Sequence, residues 1–132
     1  MSPAPGSADD STGTFFWLSS SGRATADPAD GFWSDFARLD DMAAANPWLV
    51  GTYDFAEDFP HWEMHPEGDE IFIAQSGDFV LTLERDGTRS DHSLKGGQSF
   101  VIPRGAWHVL RVIAPGRIVV LTAGKGTQHR PL

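Results

Sequence analysis

The pattern of apolar and polar positions changes character twice along this chain, near residue 14 and near residue 48. The opening MSPAPGSADDSTG holds no apolar run and is dense in Pro, Gly, Ser and Asp, so residues 1–13 are expected to form a disordered tail. TFFWLS, beginning at Thr14, reads as a short aromatic strand able to add to another sheet, including that of a second copy. SDFARLDDMAAAN, residues 34–46, is the one convincing helix. Phe32, Phe36, Leu39 and Ala43 recur at three- and four-residue spacing and give it an apolar stripe to lay on a sheet. Ser34 is the expected cap, Asp35 suits the first turn, and Asn46 followed by Pro47 closes the helix.

From Trp48 the texture becomes short β-like runs: WLVGTYDF, HWEMH, EIFIAQ, FVLTLE, SFVIP, WHVLRVI and RIVVLT. The breaks between them carry EGD, SGD, DG, GG, RG and PG, all turn signals. Seven or so strands with no helix between them predict an all-β antiparallel sandwich or small barrel. At 132 residues, the chain from 14 to 132 fits one domain with one core.

Composition narrows what such a barrel does. A formal charge of −8 repels phosphate backbones and anionic lipid, which argues against nucleic-acid and membrane-surface partners. The acids all lie at or before Asp91, with four basic residues among them. The six Lys and Arg beyond have no acid beside them, so late strands are expected to lie next to early ones. There is no cysteine, so thiol catalysis, disulfides and Cys-based metal sites are excluded, and any metal must be held by His, Asp and Glu. The N-terminus has neither the basic region nor the apolar core of a signal peptide, and no apolar run is long enough to span a bilayer. Cytoplasmic location is the default on those absences.

One group of residues points to chemistry. In HWEMH, alternation puts His61, Glu63 and His65 on one face of a strand. Neighbours there are about 6.6 Å apart, whereas His61 and His65 are about 13 Å apart, so Glu63 and His65 can share an ion while His61 and His65 cannot. The turn PEGD folds the chain back so that Glu70 opens the next strand beside His65, and His108 starts another strand after PRGAW. Two imidazoles and two carboxylates then meet inside the barrel, a donor set for divalent iron, manganese, zinc or nickel. Glu63 either joins the metal or hydrogen-bonds His65 to orient it. Glu67 and Asp69 are explained by the turn. His61 is expected to face solvent, and His92 and His129 have no evident partner. His61 and Glu63 also spell the His-x-Glu of zinc deaminases, but the Pro-Cys-x-x-Cys those enzymes need is missing.

EMHPEGDEIFIAQSG, residues 63–77, and GQSFVIPRGAWHVLRV, residues 97–112, resemble the first and second cupin motifs. His65, Glu70 and Gly77 match the first, with Glu63 standing where a histidine is usual. Gly97, Pro103, Gly105 and His108 match the second, whose closing Asn is Val112 here. The resemblance implies a six-to-eight-strand double-stranded β-helix, or jelly roll, with the helix packed outside. It also implies one divalent metal on His65, Glu70 and His108, joined by Glu63 through position alone. The glutamate makes the site harder and more anionic, which favours manganese or iron.

If Glu70 and His108 point inward, Phe72, Ala74, Phe100, Ile102, Leu110 and Val112 do too, and are expected to line an apolar substrate cavity. Trp62 and Trp107 face the other way, under the helix or in a dimer contact. Three functions fit this reading. In the first, a metal-dependent enzyme of the oxygenase, isomerase or lyase class acts on a small organic molecule, with Glu63 as candidate catalytic base. In the second, a metal-free barrel binds or senses a small ligand. In the third, the metal is a structural pin. The aromatic segment at Thr14 favours a homodimer.

Overall fold

The structure, a computed structural model, describes residue 8 and residues 10–132. Its centre is eight strands paired like one long hairpin folded over. β3 (Trp48–Phe55) pairs β10 (Gly116–Thr122), and β4 (His61–Met64) pairs β9 (Trp107–Ala114). β5 (Glu70–Ala74) pairs β8 (Ser99–Ile102), and β6 (Asp78–Arg85) pairs β7 (Thr88–Lys95). Rolling this hairpin brings β10 against β5 and β9 against β6, which makes two antiparallel sheets and the expected jelly roll. β1 (Thr14–Leu18) and β2 (Ala24–Pro28) extend one sheet to six strands, and β11 (Gln128–Pro131) extends the other to five.

Alternation explains the interior. Phe79, Leu81 and Leu83 of β6 are buried while the residues between them are not, and they meet Phe72, Leu94, Ile102, Leu110 and Ile118 in one core. Gly77 makes the turn into β6 with φ +91°, and a Cβ there would come within 2.8 Å of the Gly116 Cα. A residue with a side chain would be strained at that φ and crowded by that backbone.

Several expectations about the N-terminal part need correction. The expected tail lies mostly outside the described residues, but Ser11–Gly13 form a 3-10 turn capped by Asp10, whose carboxylate accepts from the Thr12 amide. The aromatic strand β1 pairs β2 and β3 of its own chain, and Phe15 and Trp17 are covered by Phe32 and Leu39. The helix, α1, runs Phe36–Ala45 and is capped by Asp35, which accepts from the Arg38 amide, rather than by Ser34. Phe32 sits in a separate 3-10 turn, so a stripe counted from it falls out of phase. Leu39 is buried, with Met42 and Ala43 packed beside it, while Phe36 is 70% exposed. Buried Asp27 ties this layer together by accepting from the Trp17 indole N–H at 3.1 Å and from Arg38 on α1.

Late basic residues do lie beside early acids. Arg117 of β10 forms a two-point pair with Asp54 of β3, and Arg130 of β11 pairs with Glu84 of β6. Trp62 and Trp107 are not under the helix; both lie against the Arg130 guanidinium, at 5.1 and 4.6 Å. Among the described residues no helix is long and apolar enough to cross a membrane.

Candidate metal centre

Three strand starts and ends deliver the donor atoms. Glu63 on β4 stands opposite His108 on β9, a register that sets both side chains on one face. His65 follows β4 directly, and Glu70 is the first residue of β5. The turn between them is fastened to the loop before β9. The Gly105 amide donates to the His65 carbonyl, the Arg104 amide to the Asp69 carboxylate, and the Arg104 side chain to the Pro66 carbonyl. Asp69 therefore does set turn geometry.

Glu70 lies between the two imidazoles. Its Oε2 is 3.2 Å from His65 Nε2 and its Oε1 is 3.1 Å from His108 Nε2. All three residues are at least 95% buried. Burial pushes the Glu70 carboxyl up, but the close imidazoles of His108 and His65 outweigh it and hold the pKa at about 2. Burial disfavours the charge on His65, yet Glu70 and then Glu63 raise its pKa above the usual imidazole value.

The outer nitrogens of both rings are also held. Thr127 Oγ1 donates to the Gly124 carbonyl at 2.8 Å, so at 2.8 Å from His65 Nδ1 it accepts that ring's N–H. His108 Nδ1 faces the Ala106 carbonyl at 3.4 Å. Both contacts put a proton on Nδ1, so that a neutral ring would keep its Nε2 lone pair free for an ion. As a result His65 Nε2, Glu70 Oε1 and His108 Nε2 are buried without an aligned hydrogen-bond partner. Such orphaned atoms are costly unless something else satisfies them. Donor separations just above 3 Å are those found around an ion with bonds of about 2.1 Å, so the set fits a divalent metal. Glu63 Oε1 is 3.7 Å from His65 Nε2, beyond hydrogen bonding, so orienting His65 is the work of Thr127, not Glu63. Glu63, His65 and His108 can also bring donor atoms within 4.8 Å of one another.

A cavity of roughly 630 Å³ opens beside these residues. Of the six residues expected to line it, Phe72 does. Ala74, Ile102 and Leu110 point inward as expected but are closed in the solid core, with Phe100 and Val112 packed against them. The free volume lies instead between β3, β4 and the helical layer, walled by Phe32, Leu39, Tyr53, Phe55 and Phe59. Tyr53, which sequence reasoning passed over, is kept protonated by burial and by the charges of Glu70 and Glu63. Its only sequence signal was being the chain's single tyrosine, on the strand beside β10.

The sequence matches the family model described as a cupin domain over residues 51–124, more than half of the chain. The chain belongs to the cupin family. The match encloses both motif-like stretches and the whole eight-strand roll except the first three residues of β3. This cupin is similar to a cupin-2 domain containing protein from Shewanella frigidimarina NCIMB 400, at 25% identity over 58% of this chain and 71% of that one, with a TM-score of 0.50. It is also similar in fold to an oxalate oxidase in complex with glycolate (22% identity, 62% of this chain, 45% of that one, TM-score 0.54). A third likeness of fold is the oxalate decarboxylase of Bacillus subtilis (14% identity, 70% of this chain, 25% of that one, TM-score 0.56). The cupin thus spans under half the length of either oxalate enzyme. No curated protein matches its sequence significantly.

Proposed function

We propose that this cupin is a metal-dependent enzyme acting on a small organic molecule, with one divalent ion held by His65, Glu70, His108 and Glu63. The observation that carries this reading is three buried donor atoms without a hydrogen-bond partner, with Glu70 within 3.2 Å of both imidazoles. Two oxygens among the donors suit iron or manganese, and two imidazoles keep zinc and nickel in play. When bound, the ion would supply Lewis acidity or oxygen activation beside the cavity.

The chain's own residues divide the remaining work. Phe32, Phe55, Phe59 and Phe72 exclude water and receive an apolar or aromatic body. Tyr53 offers a hydroxyl donor for a polar group of that molecule. Glu63, whose side chain is 27% exposed where Glu70's is 5%, is the more open carboxylate and, where it is not fully committed to the ion, the candidate general base. The oxalate enzymes share the fold alone, and the oxygenase, isomerase or lyase classes are those that membership of the cupin family suggests.

A second reading is favoured by one observation, the Glu70 carboxylate seated between two imidazoles at ion-pair distance. If both rings are protonated, the cluster satisfies itself and the barrel is a metal-free module that captures a ligand. Metal analysis by mass spectrometry on protein purified without chelator separates the two. The enzyme reading expects at least one equivalent of metal, reduced in Glu63→Ala and lost from the buried centre in His108→Ala with unchanged circular dichroism. Metal-free protein in all three samples overturns it.

A further inference from the structure

A second group of donors stands on the same cavity wall. β11 pairs β4 so that His129 is opposite Glu63 and Pro131 opposite His61. His61 and Glu63 alternate along β4, so all three side chains share one face, and each borders the cavity. The rings of His61 and His129 meet edge to face with centroids 4.5 Å apart. One donor atom from each of His61, Glu63 and His129 lies within 4.8 Å of the other two. Among the described residues, the histidines whose rings engage a hydroxyl or carbonyl are His65, His92 and His108, which leaves the nitrogens of His61 and His129 uncommitted.

We propose that His61, Glu63 and His129 form a second divalent-metal site at the mouth of the cavity, with Glu63 shared between it and the buried centre. Donors around an ion with bonds of about 2.1 Å sit roughly 3 to 3.5 Å apart, so these three, within 4.8 Å of one another, would have to close by no more than about 2 Å. His61 is half-buried and His129 exposed, so small side-chain rotations accomplish that. Two imidazoles and one carboxylate with open positions suit zinc, nickel or copper better than calcium or magnesium.

Sharing also gives a physical reason for the glutamate at 63. A neutral imidazole offers one lone pair and serves one ion, whereas a carboxylate has two oxygens and can bridge two. Glu63 faces His65 at 3.7 Å on one side and the His61–His129 pair on the other. The unusual residue of the first motif is thus the one between two donor clusters.

The outer site shares a residue with the centre proposed above but does not require that centre to be filled, and one experiment separates them. Untagged protein is stripped with chelator, equilibrium-dialysed against zinc, and assayed for zinc per chain, with circular dichroism as the check on folding. Wild type is expected to hold two ions, His61→Ala and His129→Ala one each, and His108→Ala one. The double variant His108→Ala/His129→Ala is expected to hold none. Zinc counts in both His61→Ala and His129→Ala equal to wild type overturn the proposal, leaving the two rings as an edge-to-face contact. An unchanged count in His108→Ala, with one ion lost in His129→Ala, sinks the buried centre and upholds the outer site.

Discussion

Thr127 accepts a hydrogen bond from His65 at 2.8 Å across 62 residues of sequence, and through it a surface loop fixes which nitrogen of a buried ring carries the proton. Replacing Thr127 with Val keeps the shape and removes the acceptor. The proton is then free to move to Nε2, where it blocks the metal. Zinc or manganese affinity is expected to fall about 10- to 100-fold in Thr127→Val and to be largely kept in Thr127→Ser. Competition with a chromophoric chelator measures this, and equal affinity in all three proteins refutes the role.

Metal removal should also show in stability. An ion that binds only the folded chain adds about 2.7 kcal/mol at one hundred times its dissociation constant. Chelator is therefore expected to lower the melting temperature of wild type by more than that of His108→Ala, because the latter has no buried-site ion to lose. Identical shifts in the two proteins contradict a buried centre.

Asp27 links the helical layer to the sheet by serving Trp17 and Arg38 at once. Asp27→Ala leaves the indole N–H of Trp17, a residue only 3% exposed, without an acceptor. A loss of about 1–3 kcal/mol is expected in urea unfolding. Trp17 also borders the cavity, so its fluorescence should redden as that wall loosens. Arg38→Ala, at a side chain 45% exposed, should cost less.

Gly77 offers a test of the roll itself. Its φ of +91° and the approach of Gly116 leave no room for a methyl group. Gly77→Ala is expected to destabilise by about 1–3 kcal/mol, whereas Gly97→Ala, with a similar φ but open space around it, should cost less. Equal midpoints in denaturant would mean that crowding at 77 is relieved by a small backbone shift.

The sequence was informative where a residue type answers a local demand. Turn glycines and alternating strands gave an antiparallel sandwich or small barrel, the resemblance to the cupin motifs made it a jelly roll, and the strand-edge positions of His65, Glu70 and His108 brought them together. It was silent where partners supply the structure. ATADP of β2 and QHRP of β11 carry no large apolar residue and are strands because a neighbour's edge pairs with them. With β11 unread, His129 had no partner and the cluster with His61 was invisible. The cavity was misjudged for a different reason. Alternation reports which way Ala74, Ile102 and Leu110 point, and they do point inward, but it cannot say whether the interior at that level is filled.

The family match stops at residue 124, yet Thr127 and His129 lie just past it on the segment that returns beside β4. Two cupins with identical buried donors can therefore differ in tautomer control and in ion count through a handful of C-terminal positions. A fusion partner or oligohistidine tail joined after Leu132 would hang close to those positions, so any assay of ion binding should be done on chains that carry no such tail.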